Sequence, residues 1–219
     1  GMAAILLIPA YMGIKQTASG ETMQLPEHSF LTSAADLLNR QFAVWSPISH
    51  DNFDGNANLY VGIFSVLAVG LYVLNGEIKV SEKIKKVLLI GIFYLSFSEM
   101  ILNFIWHGFH DQYGIPNRFS FLFGFVLLYM LWEVFEHLEG VKGWHAAFAC
   151  MAGVALIAYA KLKGTQVLED NVYGVAGMLL LLYGMLLFFY TLSRKRKYIY
   201  KFIFCVVAVI EITVTAFMG

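Results

Sequence analysis

The sequence predicts an all-α fold, a polytopic bundle of transmembrane helices with about seven spans, on three observations. Apolar residues make up 59% of the 219 and charged residues only 14%, where a soluble domain holds about 45–50% and about 25%. Aromatics reach 16%, and so much apolar surface needs a hydrocarbon solvent outside the fold as well as a core inside it. Apolar runs of spanning length, about 20 residues at 1.5 Å each, then recur along the chain between short charged clusters. Without an internal repeat or a low-complexity tract, 1–219 reads as a single membrane domain. The formal net charge of zero gives no bulk attraction to nucleic acid. Cys150 and Cys205 lie in apolar runs without CxxC or metal-ligand spacing and read as packing residues.

The first apolar run, Met2 to Ile14, has no basic flank or small-residue cleavage site and is a poor signal peptide. It is too short to span and reads as the end of a truncated first span. Residues 15–56 are polar and long for a loop. Within them Phe30, Ala34, Leu37, Leu38 and Phe42 recur at helical spacing, with Thr32 or Ser33 able to cap and Trp45 following. That pattern suits an interfacial helix, or equally an amphipathic helix packed on the bundle. Asp51, Asp54, Gly55 and Asn56 read as an Asp-Gly turn, since the ligand pattern of a calcium loop is missing. The run 55–76 carries no charge and predicts an uninterrupted spanning helix, placed near 57–76. Further spans are predicted near 87–106, 119–138, 143–162, 171–193 and 199–218. Glu133 and Glu136, near one end of the fourth span, are expected to reach lipid headgroups, and His137 and His145 carry little signal.

Positive residues near helix ends are retained on the cytoplasmic side. The basic clusters at 77–86 and 194–197 are separated by an even number of predicted spans, so both fall on one face. The loops 15–56, 107–118 and 161–170 are then extracytoplasmic.

Polar chemistry concentrates between Glu99 and Phe121. Ser96, Glu99, Asn103, His107 and His110 are spaced by three, four, four and three residues and share one face of the third span if its helix continues past Trp106. An ionised carboxylate in hydrocarbon costs a few kcal/mol, so Glu99 is expected to face the bundle or a water-filled cavity. Across a short loop carrying Asp111 and a Gly-Ile-Pro turn, Asn117 is placed to cap the fourth span and Arg118 to sit in its first turn. A helix N-terminus with an adjacent guanidinium makes an anion site. Plainer readings stand beside this one: Arg118 snorkelling to headgroups, His107 and His110 as interfacial residues, Glu99 and Asn103 as interhelical glue. Two close histidines with Asp111 are a weak zinc signal. Glu211 interrupts the seventh span, which marks it as functional or as protonated and hydrogen-bonded, with no basic partner evident in the sequence.

These residues carry a resemblance. Leu-Ile-Pro-Ala at 7–10, the stretch Gly55-Asn-Ala-Asn-Leu-Tyr-Val-Gly62, and Asn103-Phe-Ile-Trp-His-Gly-Phe-His110 followed by Pro116-Asn-Arg-Phe-Ser-Phe121 resemble the bacterial YfhO membrane proteins. Recognisable motifs cover roughly residues 1 to 140, and the remainder agrees in hydropathy alone. The resemblance implies a GT-C type glycosyltransferase of the bacterial cytoplasmic membrane. It would take a sugar from a polyprenyl-phosphate carrier, among membrane lipids, and pass it to a cell-envelope glycopolymer such as lipoteichoic acid. It also implies that the catalytic acidic residue lies in a first extracytoplasmic loop outside this chain, so the catalytic residue here is unknown and the chain reads as an internal fragment. Arg118, His107 and His110 are then expected to hold the donor phosphate, with Glu99, Asn103, Asn117 and Asp111 in support. No cofactor is identified; a divalent metal is compatible with the chemistry. A transporter or flippase using Glu99 and Glu211 is the alternative, and a non-catalytic scaffold carrying the donor-binding half is a third reading.

Overall fold

In the computed structural model the described residues are 2–16, 25–44, 57–109, 117–193, 195 and 197–218. Among them the secondary structure is helical, apart from one isolated antiparallel bridge between Phe30 and Glu99. The helices are α1 (Met2–Lys15), α2 (Ala34–Phe42), α3 (Ile63–Leu74), α4 (Val80–Ser98), α5 (Met100–Trp106), α6 (Ser120–Glu136), α7 (Gly143–Lys163), α8 (Asp170–Leu192) and α9 (Lys197–Met218). Three of these, at Gly143–Lys163, Asp170–Leu192 and Lys197–Phe217, are long and apolar enough to cross a membrane.

The expected span near 57–76 is corrected. Its helix starts only at Ile63: residues 57–62 are not helical, and Gly62 takes φ +94°, a left-handed value that suits glycine. Non-helical backbone here is tolerated where it packs on protein, with Ala57 and Leu59 inside the core. The expected span 87–106 is also corrected: α4 ends at Ser98, and Glu99, at φ −98° and ψ 129°, separates it from α5.

The core runs from α3 through α6, α7, α8 and α9, with Tyr72, Met130, Ala149, Leu180, Tyr183 and Phe204 inside it. Close approach of α7 and α8 depends on small residues: a Cβ at Gly153 would stand 2.8 Å from Leu180 Cδ2, and one at Gly184 would stand 2.8 Å from Cys150 Sγ. The packing role expected of Cys150 follows from that contact, whereas Cys205 is exposed. A second core joins Leu37, Ala57 and Leu59 to Phe93, Phe97, Phe119 and Phe123. Outward faces remain apolar, as with Phe125 and Trp132 on α6 and Val209 and Ile210 on α9.

The loops carrying the two basic clusters meet at one end of the bundle. Lys83 Nζ donates to Asn75 O at 2.5 Å, Asn75 Nδ2 to His137 O at 2.8 Å, and Lys197 pairs with Glu139 at 3.4 Å. Glu133 does not reach outward as expected. Its Oε2 accepts from Tyr72 Oη at 2.9 Å and pairs with Lys86 at 3.3 Å, so it ties α6 to α3 and α4.

At the opposite end α2 forms where the helical spacing places it, with Ser33 as its N-cap and Phe30 outside it. Its apolar face, Ala35, Leu37 and Phe42, packs on protein. Asp36 fixes the helix to the loop after α7. It accepts from Thr165 N at 2.7 Å, Gln166 N at 3.0 Å and Thr165 Oγ1 at 3.0 Å, and from its own cap, Ser33 Oγ, at 2.6 Å. Asn39 adds bonds to Ala160 O, Gln166 O and Tyr173 Oη. Trp45 and the expected Asp-Gly turn lie outside the described residues.

Burial pushes the Asp36 carboxyl up, but the hydrogen bonds from Gln166, Ser33 and Thr165 outweigh it and hold the group below its ordinary 3.8. A carboxyl depressed in the folded state contributes stability above its unfolded value and loses it as pH falls through the folded one. Asp36→Ala, which orphans the Thr165 and Gln166 N–H groups, is therefore expected to cost about 3 kcal/mol at neutral pH. The deficit should shrink on acidification below pH 3.8, measured by thermal unfolding in detergent. A deficit that stays constant with pH would contradict this assignment.

Candidate functional site

The chain breaks its helix at Glu99 without proline or glycine, and four of the groups freed by the break find new partners. In an unbroken helix Met100 N–H would bond Ser96 O and Leu102 N–H would bond Ser98 O. Instead Met100 N donates to Ser29 O at 3.0 Å, and Leu102 N donates to Glu99 Oε2 at 2.8 Å. The released Ser98 O accepts from Leu31 N at 2.7 Å, and Ser96 O accepts from Asn103 Nδ2 at 3.4 Å. The segment 28–31 thus lies across the break, and Glu99 serves as the N-cap of α5.

The continuous face expected from Ser96 to His110 is therefore corrected: it is divided at Glu99, and the helix ends at Trp106. Its first members still gather. Ser96, Glu99 and Asn103 are all buried, and Asn103 Nδ2 also donates to Asn117 Oδ1. Asn117 is fully buried at φ 51°, a left-handed conformation that asparagine tolerates. Its side chain accepts from Asn103. The N-cap of α6 is Phe119, which supplies no side-chain bond, so Asn117 and Arg118 precede the helix where a cap and a first-turn residue were expected.

His107 follows α5, and its Nδ1 lies 2.7 Å from Asn103 O. A carbonyl only accepts, so Nδ1 carries the proton in this contact. Arg118 is exposed beside this group. His110 and Asp111 lie outside the described residues.

Aromatic stacking holds the two sides of the site together. Phe119 stacks on Phe97 at 5.0 Å and on Trp106 at 4.8 Å, and Phe93 stacks on Trp106 at 6.0 Å. Phe119, between the polar residues singled out above, is thus the anchor of the start of α6 on α4 and α5.

Glu211 sits elsewhere, at the start of α3. Its Oε1 accepts from Tyr60 Oη at 2.5 Å and Ile63 N at 2.6 Å, and its Oε2 accepts from Tyr183 Oη at 2.6 Å. The carboxylate caps α3 from another helix and joins α3, α8 and α9. Tyr60 lies in the Gly55–Gly62 motif, so its position was marked by sequence; Tyr183 and the segment 28–31 had no such signal. Among the described residues no three His, Cys, Asp or Glu side chains gather as a metal site.

A family model described as bacterial membrane protein YfhO matches residues 1–218. The chain belongs to that family. The YfhO match includes the final third, where the sequence motifs had shown agreement in hydropathy alone. Comparison with curated proteins and with solved structures gives no match. The Asn103–Phe121 motif of this YfhO chain contains both asparagines of the polar centre and the Phe119 anchor. The Gly55–Gly62 motif contains Tyr60 and the left-handed Gly62.

Glu211→Ala would orphan two hydroxyls and a helix N–H and is expected to cost about 3–5 kcal/mol, whereas Glu211→Gln, still able to accept, should cost about 1–2 kcal/mol. Chemical unfolding of the two variants in detergent checks the ordering. Equal losses would mean that the contacts of Glu211 do not depend on its acceptor oxygens.

Proposed function

We propose that this YfhO-family chain is part of a GT-C type glycosyltransferase that moves a sugar from a polyprenyl-phosphate carrier to an extracytoplasmic cell-envelope acceptor such as lipoteichoic acid. On this reading the chain forms one domain that crosses the bacterial cytoplasmic membrane about seven times, with the Glu99–Phe121 region on the outer side. The gathering of both basic loops at one end of the bundle supports that orientation, because the polar centre lies toward the other. The observation that carries the functional reading is the buried Glu99–Asn103–Asn117 centre at a broken helix, whose two asparagines belong to the motif that carries the resemblance.

Arg118 and His107, with His110 from the adjoining loop, are assigned to the donor phosphate. The start of α6, whose N-cap Phe119 supplies no side-chain bond, adds its dipole. Glu99, Asn103, Asn117 and Asp111 support that shell, and a divalent metal remains compatible with a phosphate leaving group. Arg118→Ala in the intact protein is expected to lower kcat/KM for the lipid-linked donor by about tenfold to a hundredfold, since a charge-assisted bond contributes about 1.5–3 kcal/mol. Unchanged turnover and donor affinity would remove Arg118 from the site.

One observation favours a second reading, a transporter or flippase. Discontinuous helices frame the substrate sites of many transporters, and α4–α5 is discontinuous at Glu99. Glu211, committed to three donors, fits a proton relay poorly. Proton-driven uptake into vesicles that is abolished by Glu99→Gln would favour this reading over the transferase.

A further inference from the structure

The segment 30–34 and the loop after α7 close a cleft against α4, at the end of the bundle away from the two basic loops. Its volume of about 610 Å³ falls in the range of about 300–1,000 Å³ usual for small-molecule sites. One wall is Phe30 and Ser33, the second Tyr94 and Ser98 of α4, and the third Thr165 and Gln166. The bridge between Phe30 and Glu99, with Leu31 N bonded to Ser98 O at 2.7 Å, sets the first wall against the second.

The hydroxyl groups of these walls are of two kinds. Ser33 Oγ donates to Asp36 Oδ2 at 2.6 Å, and Thr165 Oγ1 donates to the same oxygen at 3.0 Å. Both are used in fixing α2. Ser98 and Tyr94 differ, because among the described residues neither hydroxyl makes a hydrogen bond. A helical serine ordinarily satisfies itself on the carbonyl four residues back, as Ser96 Oγ does on Ile92 O at 2.7 Å. Ser98, at the last position of α4, does not, although it is only 9% exposed. A hydroxyl taken from water and left unbonded costs about 1–3 kcal/mol, so its retention beside a cleft points to a ligand that completes it.

The rest of the lining selects the ligand. Asp36 brings the one formal charge among the described lining residues, and no Lys, Arg or His accompanies it. Its two oxygens already accept from Ser33 Oγ, Thr165 Oγ1, Thr165 N and Gln166 N. Four donors fill its lone-pair sites, so it has none left for a cation, and its negative charge disfavours an anion. Phe30 keeps its ring 66% exposed, with its edge against His28 at 5.4 Å between centroids. A neutral molecule with hydroxyls on its rim and an apolar C–H face fits this set, and a pyranose ring has that form.

We propose that the cleft is a saccharide subsite holding one uncharged sugar ring, its face on Phe30 and its hydroxyls on Ser98 and Tyr94. The use of the bound ring rests on the glycosyltransferase reading above, whereas the binding does not. Charge separates this subsite from the donor-phosphate shell. The anion belongs with Arg118 and the histidines, and the cleft takes an uncharged part of a substrate, a sugar of the donor or a sugar of the acceptor.

The test uses the intact protein in a detergent without a sugar head, titrated with the methyl glycosides of glucose, galactose and N-acetylglucosamine by saturation-transfer NMR. At least one glycoside is expected to bind. Phe30→Ala, Tyr94→Phe and Ser98→Ala should each weaken it by about twofold to tenfold, and Val209→Ala, on the outward face of α9, should leave it unchanged. Phe30 is exposed, and Tyr94→Phe keeps the ring that packs on Phe123, so unfolding in detergent should match the wild type. Inorganic phosphate should not displace the glycoside. Failure of all three glycosides to bind, binding that survives the three substitutions, or displacement by phosphate overturns the subsite, whether or not the protein transfers sugar. Displacement by the lipid-linked donor assigns the ring to the donor, and displacement by the glycopolymer assigns it to the acceptor. Displacement by neither overturns the use of the cleft in transfer. A protein that binds glycoside as expected but transfers no sugar overturns the transferase reading and leaves the subsite standing.

Discussion

The break between α4 and α5 is the constraint on which the polar centre depends. A helix interrupted inside an apolar protein must find partners for the N–H and C=O groups it gives up, because no water is present to take them. Here four of them are met by the Glu99 side chain, by Asn103, and by the backbone of Ser29 and Leu31. The same interruption turns Asn103 toward Asn117 and brings the start of α6 against Phe97 and Trp106. Structure and chemistry share one set of contacts, so the cost of breaking the helix is met by the groups that build the centre.

The buried polar groups divide the work. Asp36 and Asn39 lock α2 onto the loop after α7, Glu133 ties α6 to α3 and α4, and Glu211 caps α3 from α9. Each joins elements distant in sequence, which is how polar groups add specificity to a bundle whose apolar contacts are interchangeable. Glu99 holds one oxygen in that manner and keeps the other free of hydrogen bonds.

The helical class and the membrane were legible because they depend on composition and on apolar run length. The α2 helix was legible from its spacing and its serine cap. The helix break was not. Sequence marks breaks by proline and glycine, and Ser96-Phe-Ser-Glu99 contains neither; the break is stabilised by a segment about seventy residues away, and Glu is a poor intrinsic N-cap. The uncharged run 55–76 misled for a related reason: low charge predicts an apolar surrounding, and irregular backbone packed on protein meets that condition as well as helix does. Glu211 was recognised as exceptional, but its donors lie on other helices. In the centre itself, spacing selected Ser96, Glu99 and Asn103, while the packing role of Phe119 was hidden by the polar residues around it.

The break across which segment 28–31 lies can be tested without reference to activity. In intact protein with Cys150 and Cys205 replaced by alanine, cysteines at Ser29 and Met100, whose side chains meet at 3.3 Å, are placed to form a disulfide across the bridge. Mild oxidation in native membranes is predicted to cross-link this pair rapidly and to leave a control pair at Ser29 and Leu88 unlinked. A Ser29–Met100 pair that stays reduced under the same conditions would mean that the segment does not lie across the helix, and would contradict the account of the polar centre.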